Sequence, residues 1–102
     1  MRNILKNVKQ VRRVNSPETI LVEVYSKPGC HLCEVVKQKL EKLQATIPFL
    51  LKEIDISRSA QLMEKYGEKI PLVFVDGHLV AKYFLNEEAF LKYMKKAIRG
   101  KS

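Results

Sequence analysis

Apolar positions change period several times along this chain, and each change marks an element. Ile4, Leu5, Val8 and Val11 recur at helical spacing among basic residues, which predicts a basic amphipathic helix over residues 3–13. Asn15-Ser16-Pro17 breaks it. Residues 19–25 are β-branched and mostly apolar and predict a buried strand. Lys27-Pro28-Gly29 reads as a turn. Cys33, Val36, Leu40 and Leu43 return to helical spacing, with Lys37, Lys39, Glu41 and Lys42 between them, so a helix is expected over residues 30–45. Residues 49–56 form a second strand. Ser57 is expected to cap a helix that runs to Tyr66 and stops at Gly67. Residues 72–75 are a third strand, Asp76-Gly77 is a hairpin turn, and residues 78–83 return as a fourth strand. Asn86 caps a last helix, with Glu87 and Glu88 in its first turn and lysines in its last.

The order β-α-β-α-β-β-α predicts an α/β fold. The early βαβ unit makes two strands parallel, and the closing hairpin is antiparallel. The sheet is therefore mixed and four-stranded, with helices flanking it. Residues 1–17 read as a basic N-terminal extension and 18–102 as one domain. A chain of 102 residues is one domain's length.

Charge modifies this picture only at the ends. The net charge is +8, but Arg2, Lys6, Lys9, Arg12 and Arg13 lie in the first segment and Lys92, Lys95, Lys96, Arg99 and Lys101 in the last. The stretch between them is slightly acidic. Solvated ends and contact with an acidic partner both account for such a pattern. No aromatic interleaves the basic residues, so no base-stacking platform argues for nucleic acid. No apolar run is long enough to span a membrane. The basic start lacks an apolar core and a cleavage site, so it does not read as a secretory signal, and a cytoplasmic location is expected.

The chemistry-bearing feature is the pair Cys30 and Cys33, the only cysteines in the chain. They fall where a strand ends, a turn follows and a helix begins. Thiol–disulfide exchange needs a thiolate, and a helix start favours one through its free N–H groups and dipole. Lys27 adds nearby positive charge. His31, when protonated, would also favour the thiolate, stabilise the dithiol and so raise its reduction potential. Cys33 lies one turn on, within reach of a mixed disulfide on Cys30. A C-x-x-C pair is also half of many zinc sites. No further cysteine exists to complete one, and His31 and His78 are the only histidines. No metal site is expected.

Residues 25–33, Tyr-Ser-Lys-Pro-Gly-Cys-His-Leu-Cys, resemble the active-site segment of glutaredoxins. Residues 69–77, Lys-Ile-Pro-Leu-Val-Phe-Val-Asp-Gly, resemble that family's cis-proline segment. The resemblance runs over about residues 19–98, and the chain looks like the small glutaredoxin-like proteins with a Cys-His-Leu-Cys motif. It implies a thioredoxin fold, with Pro71 in cis beside the cysteines and the Ile70 backbone pairing with an extended substrate. Two departures stand out. His31-Leu32 replaces the usual pair between the cysteines. Roughly at Ala81 and Lys82, the family's Gly-Gly pair is missing, and with it the feature that holds glutathione.

The function expected is that of an enzyme, a glutaredoxin-like thiol–disulfide oxidoreductase. Cys30 attacks a disulfide or mixed disulfide on a protein or small thiol, and Cys33 resolves it. No cofactor is required. Glutathione or a thioredoxin-reductase-type partner supplies electrons. Two alternatives are a redox-sensing module that binds an acidic partner through its basic ends, and an iron–sulfur cluster-binding protein of the glutaredoxin type.

Overall fold

A computed structural model describes residues 20–101 of the chain. The basic extension over residues 1–17, and the helix expected at 3–13, lie outside the described residues.

The elements follow the expected order. β1 spans Leu21–Ser26, α1 His31–Leu43, β2 Leu50–Asp55, α2 Ala60–Tyr66, β3 Leu72–Val75, β4 His78–Lys82 and α3 Glu87–Lys101. They build one four-stranded sheet in the order β2-β1-β3-β4. β1 pairs in parallel with β2, Leu21 opposite Leu50, which requires the crossover that α1 supplies. β1 pairs antiparallel with β3, and β3 antiparallel with β4, with a shift of register between Val73 and Phe74.

The pleat sorts side chains onto two faces. Val22 and Val24 of β1 face the same way as their partners Val75 and Val73 of β3. All four are buried beneath Val36, Leu40 and Leu43 of α1 and Phe90 and Met94 of α3. Phe49 meets Phe90 edge-on at 5.6 Å within this core. Tyr25 lies on the opposite face. It packs against Phe74 at 4.9 Å and against Tyr66 of α2 at 5.3 Å. So α1 and α3 cover one side of the sheet, and the short α2 covers the far side of β1's C-terminal end.

Asp76 sets the register of the central pair. Its N–H donates to the Leu21 carbonyl at 2.8 Å, and its carboxylate accepts the Leu21 N–H at 2.9 Å. Asp76 and Gly77 both have positive φ, 48° and 86°, the pattern of the tight turn that matches a hairpin's twist.

Strand and helix ends shift by one or two residues, and the start of the second helix shifts for a specific reason. Ser57 does not cap the second helix. The Asp55 carboxylate accepts the Ser57 hydroxyl at 2.6 Å and the Ser57 N–H at 2.9 Å, and caps a 3-10 turn over Ile56–Arg58. Ser59 then caps α2, its hydroxyl accepting the Leu62 N–H at 3.2 Å. With its hydroxyl committed to Asp55, Ser57 does not cap, and the helix start moves on by two residues.

Two outcomes follow from this packing. Leu40 is fully buried between helix and sheet, so Leu40→Ala should cost about 2–5 kcal/mol in urea unfolding of the oxidised protein. The hydrogen bonds from Ser57, its hydroxyl first and its N–H second, hold the Asp55 carboxyl below its ordinary range. A depressed folded pKa contributes stability above the unfolded value and loses it as pH falls through the folded one. Asp55→Asn keeps an acceptor but cannot titrate, so its stability should fall less steeply than wild type below about pH 4.

Candidate redox site

The cysteine pair sits at the C-terminal end of β1. The chain turns there through Pro28 and Gly29, and Gly29 takes φ 82°. An added Cβ at Gly29 would meet nothing within 4 Å, so the demand for glycine is conformational, not steric. The Cys30 N–H closes the turn onto the Lys27 carbonyl at 3.3 Å.

Cys30 is the N-cap of α1. Its backbone is extended, φ −88° and ψ 106°, and its sulfur accepts the Cys33 N–H at 3.2 Å. A sulfur thus occupies the place usually taken by a serine or aspartate oxygen. It faces the unpaired N–H groups and the positive end of the helix dipole. Cys30 and Cys33 are joined as a disulfide, with Cα atoms 5.2 Å apart. The two sulfurs differ in access. Cys33 is 1% exposed and packs among Ile56 and Ile70, whereas Cys30 is half-buried at the edge of the same cluster with Tyr25, Leu62, Met63 and Tyr66. An incoming group therefore meets Cys30 first.

The Ile70–Pro71 peptide bond is cis. Ile70 packs in the cluster that holds both cysteines, and Pro71 is fully buried. The Pro71 carbonyl accepts the Tyr83 N–H at 2.7 Å. Lys27 reaches across the site, and its ammonium donates to the Gly67 carbonyl at 3.4 Å, at the end of α2. His31 is exposed, and Leu32 beside it is 41% exposed. His78 is exposed on β4, at the opposite end of the sheet from the cysteines. Among the described residues, no group of three or more His, Cys, Asp or Glu comes together to hold a metal ion.

The structure adds a polar cluster that sequence reasoning missed. Ser26 is 2% exposed, and its hydroxyl donates to the Glu53 carboxylate at 2.7 Å. Lys37 of α1 bridges Glu53 and Glu34, each at 3.2 Å. Hydrogen bonds to Glu53 and then Glu34 push the Lys37 ammonium above its ordinary pKa. These contacts fasten α1 to the ends of β1 and β2 behind the cysteines. The i, i+3 pair of Glu34 and Lys37 was visible in the sequence, but the strand residues that complete it were not.

The corner after the last strand also moves. The expected glycine positions, Ala81 and Lys82, are still in β4. The chain turns instead at Tyr83, which takes φ 70°, and at Phe84.

The comparisons agree with this geometry. The sequence profile of the Glutaredoxin-like domain (DUF836) matches residues 21–95. An uncharacterized protein of Mycobacterium tuberculosis is 30% identical over 61 residues, 55% of this chain and 63% of that protein. A protein of Mycobacterium bovis, also uncharacterized, matches with the same figures, so the aligned part spans under two thirds of these relatives. Among solved structures, the solution structure of a Nitrosomonas europaea protein, Ne2328, superposes with TM-score 0.64 at 30% identity, covering 72% of this chain and 89% of that one. A Halobacterium salinarum thioredoxin mutant superposes with TM-score 0.58 at 19% identity, covering 81% and 78%. Oxidised mitochondrial thioredoxin 3 of Saccharomyces cerevisiae gives TM-score 0.55 at 21% identity, covering 81% and 83%. The last two show the fold alone. With a thioredoxin fold, a cysteine pair at a helix start and a family profile across most of its length, the chain belongs to the glutaredoxin-like (DUF836) family.

Proposed function

We propose that this protein is a thiol–disulfide oxidoreductase in which Cys30 is the nucleophile and Cys33 the resolving thiol. The observation that carries the reading is the unequal access of two sulfurs at one helix start. Cys30 is half-buried and Cys33 is 1% exposed.

The cycle balances as follows. In the reduced protein the Cys30 thiolate attacks one sulfur of a substrate disulfide. A mixed disulfide forms, and the other substrate sulfur leaves as a thiolate that takes up a proton. Cys33 then gives up its proton and attacks Cys30 Sγ. The mixed disulfide breaks, the second substrate thiol leaves, and the Cys30–Cys33 disulfide is formed. Two electrons and two protons have passed to the substrate. A dithiol donor, or two molecules of a monothiol such as glutathione, reverses the change in the protein and is itself oxidised to a disulfide.

Other residues assist in this scheme. The N–H groups at the start of α1 stabilise the thiolate. Lys27 and His31, when protonated, add positive charge to the same end of the helix. The Ile70 backbone, next to the cis bond, pairs with the extended substrate while the mixed disulfide exists. Buried Pro71 and the Tyr83 N–H bond hold that segment in place. Reduced thiols persist in a cytoplasmic setting, where such a cycle can run. Among the described residues, no helix is long and apolar enough to cross a membrane.

The cysteine variants test this reading. Wild type should reduce a glutathionyl mixed disulfide or a protein disulfide with a thiol donor, and Cys30→Ser should abolish turnover. Cys33→Ser should accumulate a mixed disulfide with a protein substrate, seen as a mass increase that a reductant removes. Turnover that survives in Cys30→Ser would refute the assignment. His31→Ala should lower the reduction potential, by on the order of 30 mV for a tenfold loss of dithiol stabilisation. Redox titration measures it, and an unchanged potential would reject a role for the imidazole.

A further inference from the structure

The corner that follows β4 is built from an aromatic pair, and it sits at the same end of the sheet as the cysteines. The register shows this. Tyr25, near the C-terminal end of β1, pairs with Leu72, the first residue of β3, and Leu72 pairs with Lys82, the last residue of β4. Tyr83 and Phe84 therefore emerge at the end of the sheet that carries Cys30, two strands from β1.

Tyr83 is fixed in an unusual conformation. Its φ of 70° is a region that residues with a side chain seldom adopt. Two hydrogen bonds hold it there. Its N–H donates to the Pro71 carbonyl at 2.7 Å, and its hydroxyl donates to the Glu68 carbonyl at 3.3 Å. Tyr83 thus grips the segment that carries Ile70 at both ends, and Ile70 packs with the two cysteines. Such strain persists where surrounding contacts enforce it, and it tends to mark function.

The next two residues divide in an unexpected way. Leu85 turns inward and is 4% exposed, while Phe84 is 71% exposed. A single exposed apolar side chain is ordinary, but here the ring is held on a constrained backbone and adjoins further exposed apolar surface. Phe84 also borders an apolar groove of about 430 Å³, shared with Leu79, Ala81, Ala89 and Tyr93. Leu79 is itself 53% exposed. Glu87 and Glu88 follow in the first turn of α3, and both are exposed. An anionic, hydrophilic disulfide such as oxidised glutathione gains nothing from the ring, and the charge at this corner is balanced: Lys82 has its ammonium 5.5 Å from the Tyr83 ring, and Lys39 donates to the Leu85 carbonyl at 3.1 Å. A protein segment with an apolar side chain beside its cysteine gains a contact.

We infer that Phe84 is a specificity-determining residue, which receives an apolar side chain flanking the substrate's disulfide, and that Tyr83 is the positioning residue that aims it. The inference rests on the oxidoreductase reading and names its substrate class: disulfide-bearing polypeptides with apolar flanks.

The test uses two peptides of equal length, each closed by one disulfide. One has leucine beside each cysteine and the other has serine. Reduction is followed with dithiothreitol as donor. Wild type should favour the leucine peptide in kcat/KM by about tenfold, the scale of one well-placed aromatic contact. Phe84→Ser should bring that ratio close to one, with the change in KM. Phe84 is exposed, so the variant should fold. A ratio near one in wild type, or a ratio untouched by Phe84→Ser, overturns the inference and leaves the redox reading standing. Reduction of neither peptide above the rate with dithiothreitol alone overturns both.

Discussion

The first N–H groups of a helix have no partner within it, and in this protein one of them, that of Cys33, donates to a sulfur. Cys30 caps α1 through its Sγ, which accepts the Cys33 N–H at 3.2 Å. An oxygen cap is worth about 1 kcal/mol to a helix. A sulfur is a weaker acceptor while neutral and a far better one as a thiolate, so the same geometry that starts the helix favours the reactive form of the cysteine. The rest of the domain serves to hold this helix start in place. β1 delivers the chain to it, and Gly29 supplies the positive φ that turns strand into helix. The Ser26–Glu53–Lys37–Glu34 cluster fastens the first turns of α1 to both parallel strands.

The second requirement is that the two sulfurs be unequal. α2 meets it with few residues. Its Leu62, Met63 and Tyr66 pack with Ile56 and Ile70 around the cysteine pair, leaving Cys33 buried and Cys30 at the margin. Lys27 ties the end of α2 to the turn before the cysteines through the Gly67 carbonyl. Tyr83 ties the end of the sheet to the Ile70–Pro71 segment from the other side. These bonds tie the turn before the disulfide to the end of α2, and the Ile70–Pro71 segment to the corner after β4. Core burial, as at Leu40 and Met94, supplies the stability that lets these short polar contacts fix the geometry.

Most of this architecture was legible in the chain because it is carried by local signals. The apolar spacing of Cys33, Val36, Leu40 and Leu43 marked the face of α1 that the structure buries. Asp76-Gly77 marked the hairpin, and Asn86 marked the start of α3, where its side chain accepts the Ala89 N–H at 2.8 Å. The cysteine pair at the strand–helix junction was plain from spacing, and the cis bond came only through family resemblance. What escaped depends on contacts distant in sequence or on competition between neighbours. Ser57 was the expected cap of α2, but Asp55 engages it and Ser59 takes the role. Glu53 carries no local signal of a partner, and only the parallel pairing brings it to Ser26. Tyr83 gave no sign of a positive φ, because an aromatic residue is a poor candidate for one. Its conformation is imposed by bonds to residues 68 and 71.

The central claim is that the start of α1 activates Cys30 and that burial withholds Cys33. The most direct measurement is the rate of iodoacetamide alkylation of each cysteine in the reduced protein as a function of pH, read by peptide mass. The account predicts that Cys30 reacts with a midpoint below the ordinary thiol value of about 8.5 and that Cys33 reacts more slowly. A Cys30 midpoint at or above that value, or equal rates at the two positions, would contradict it.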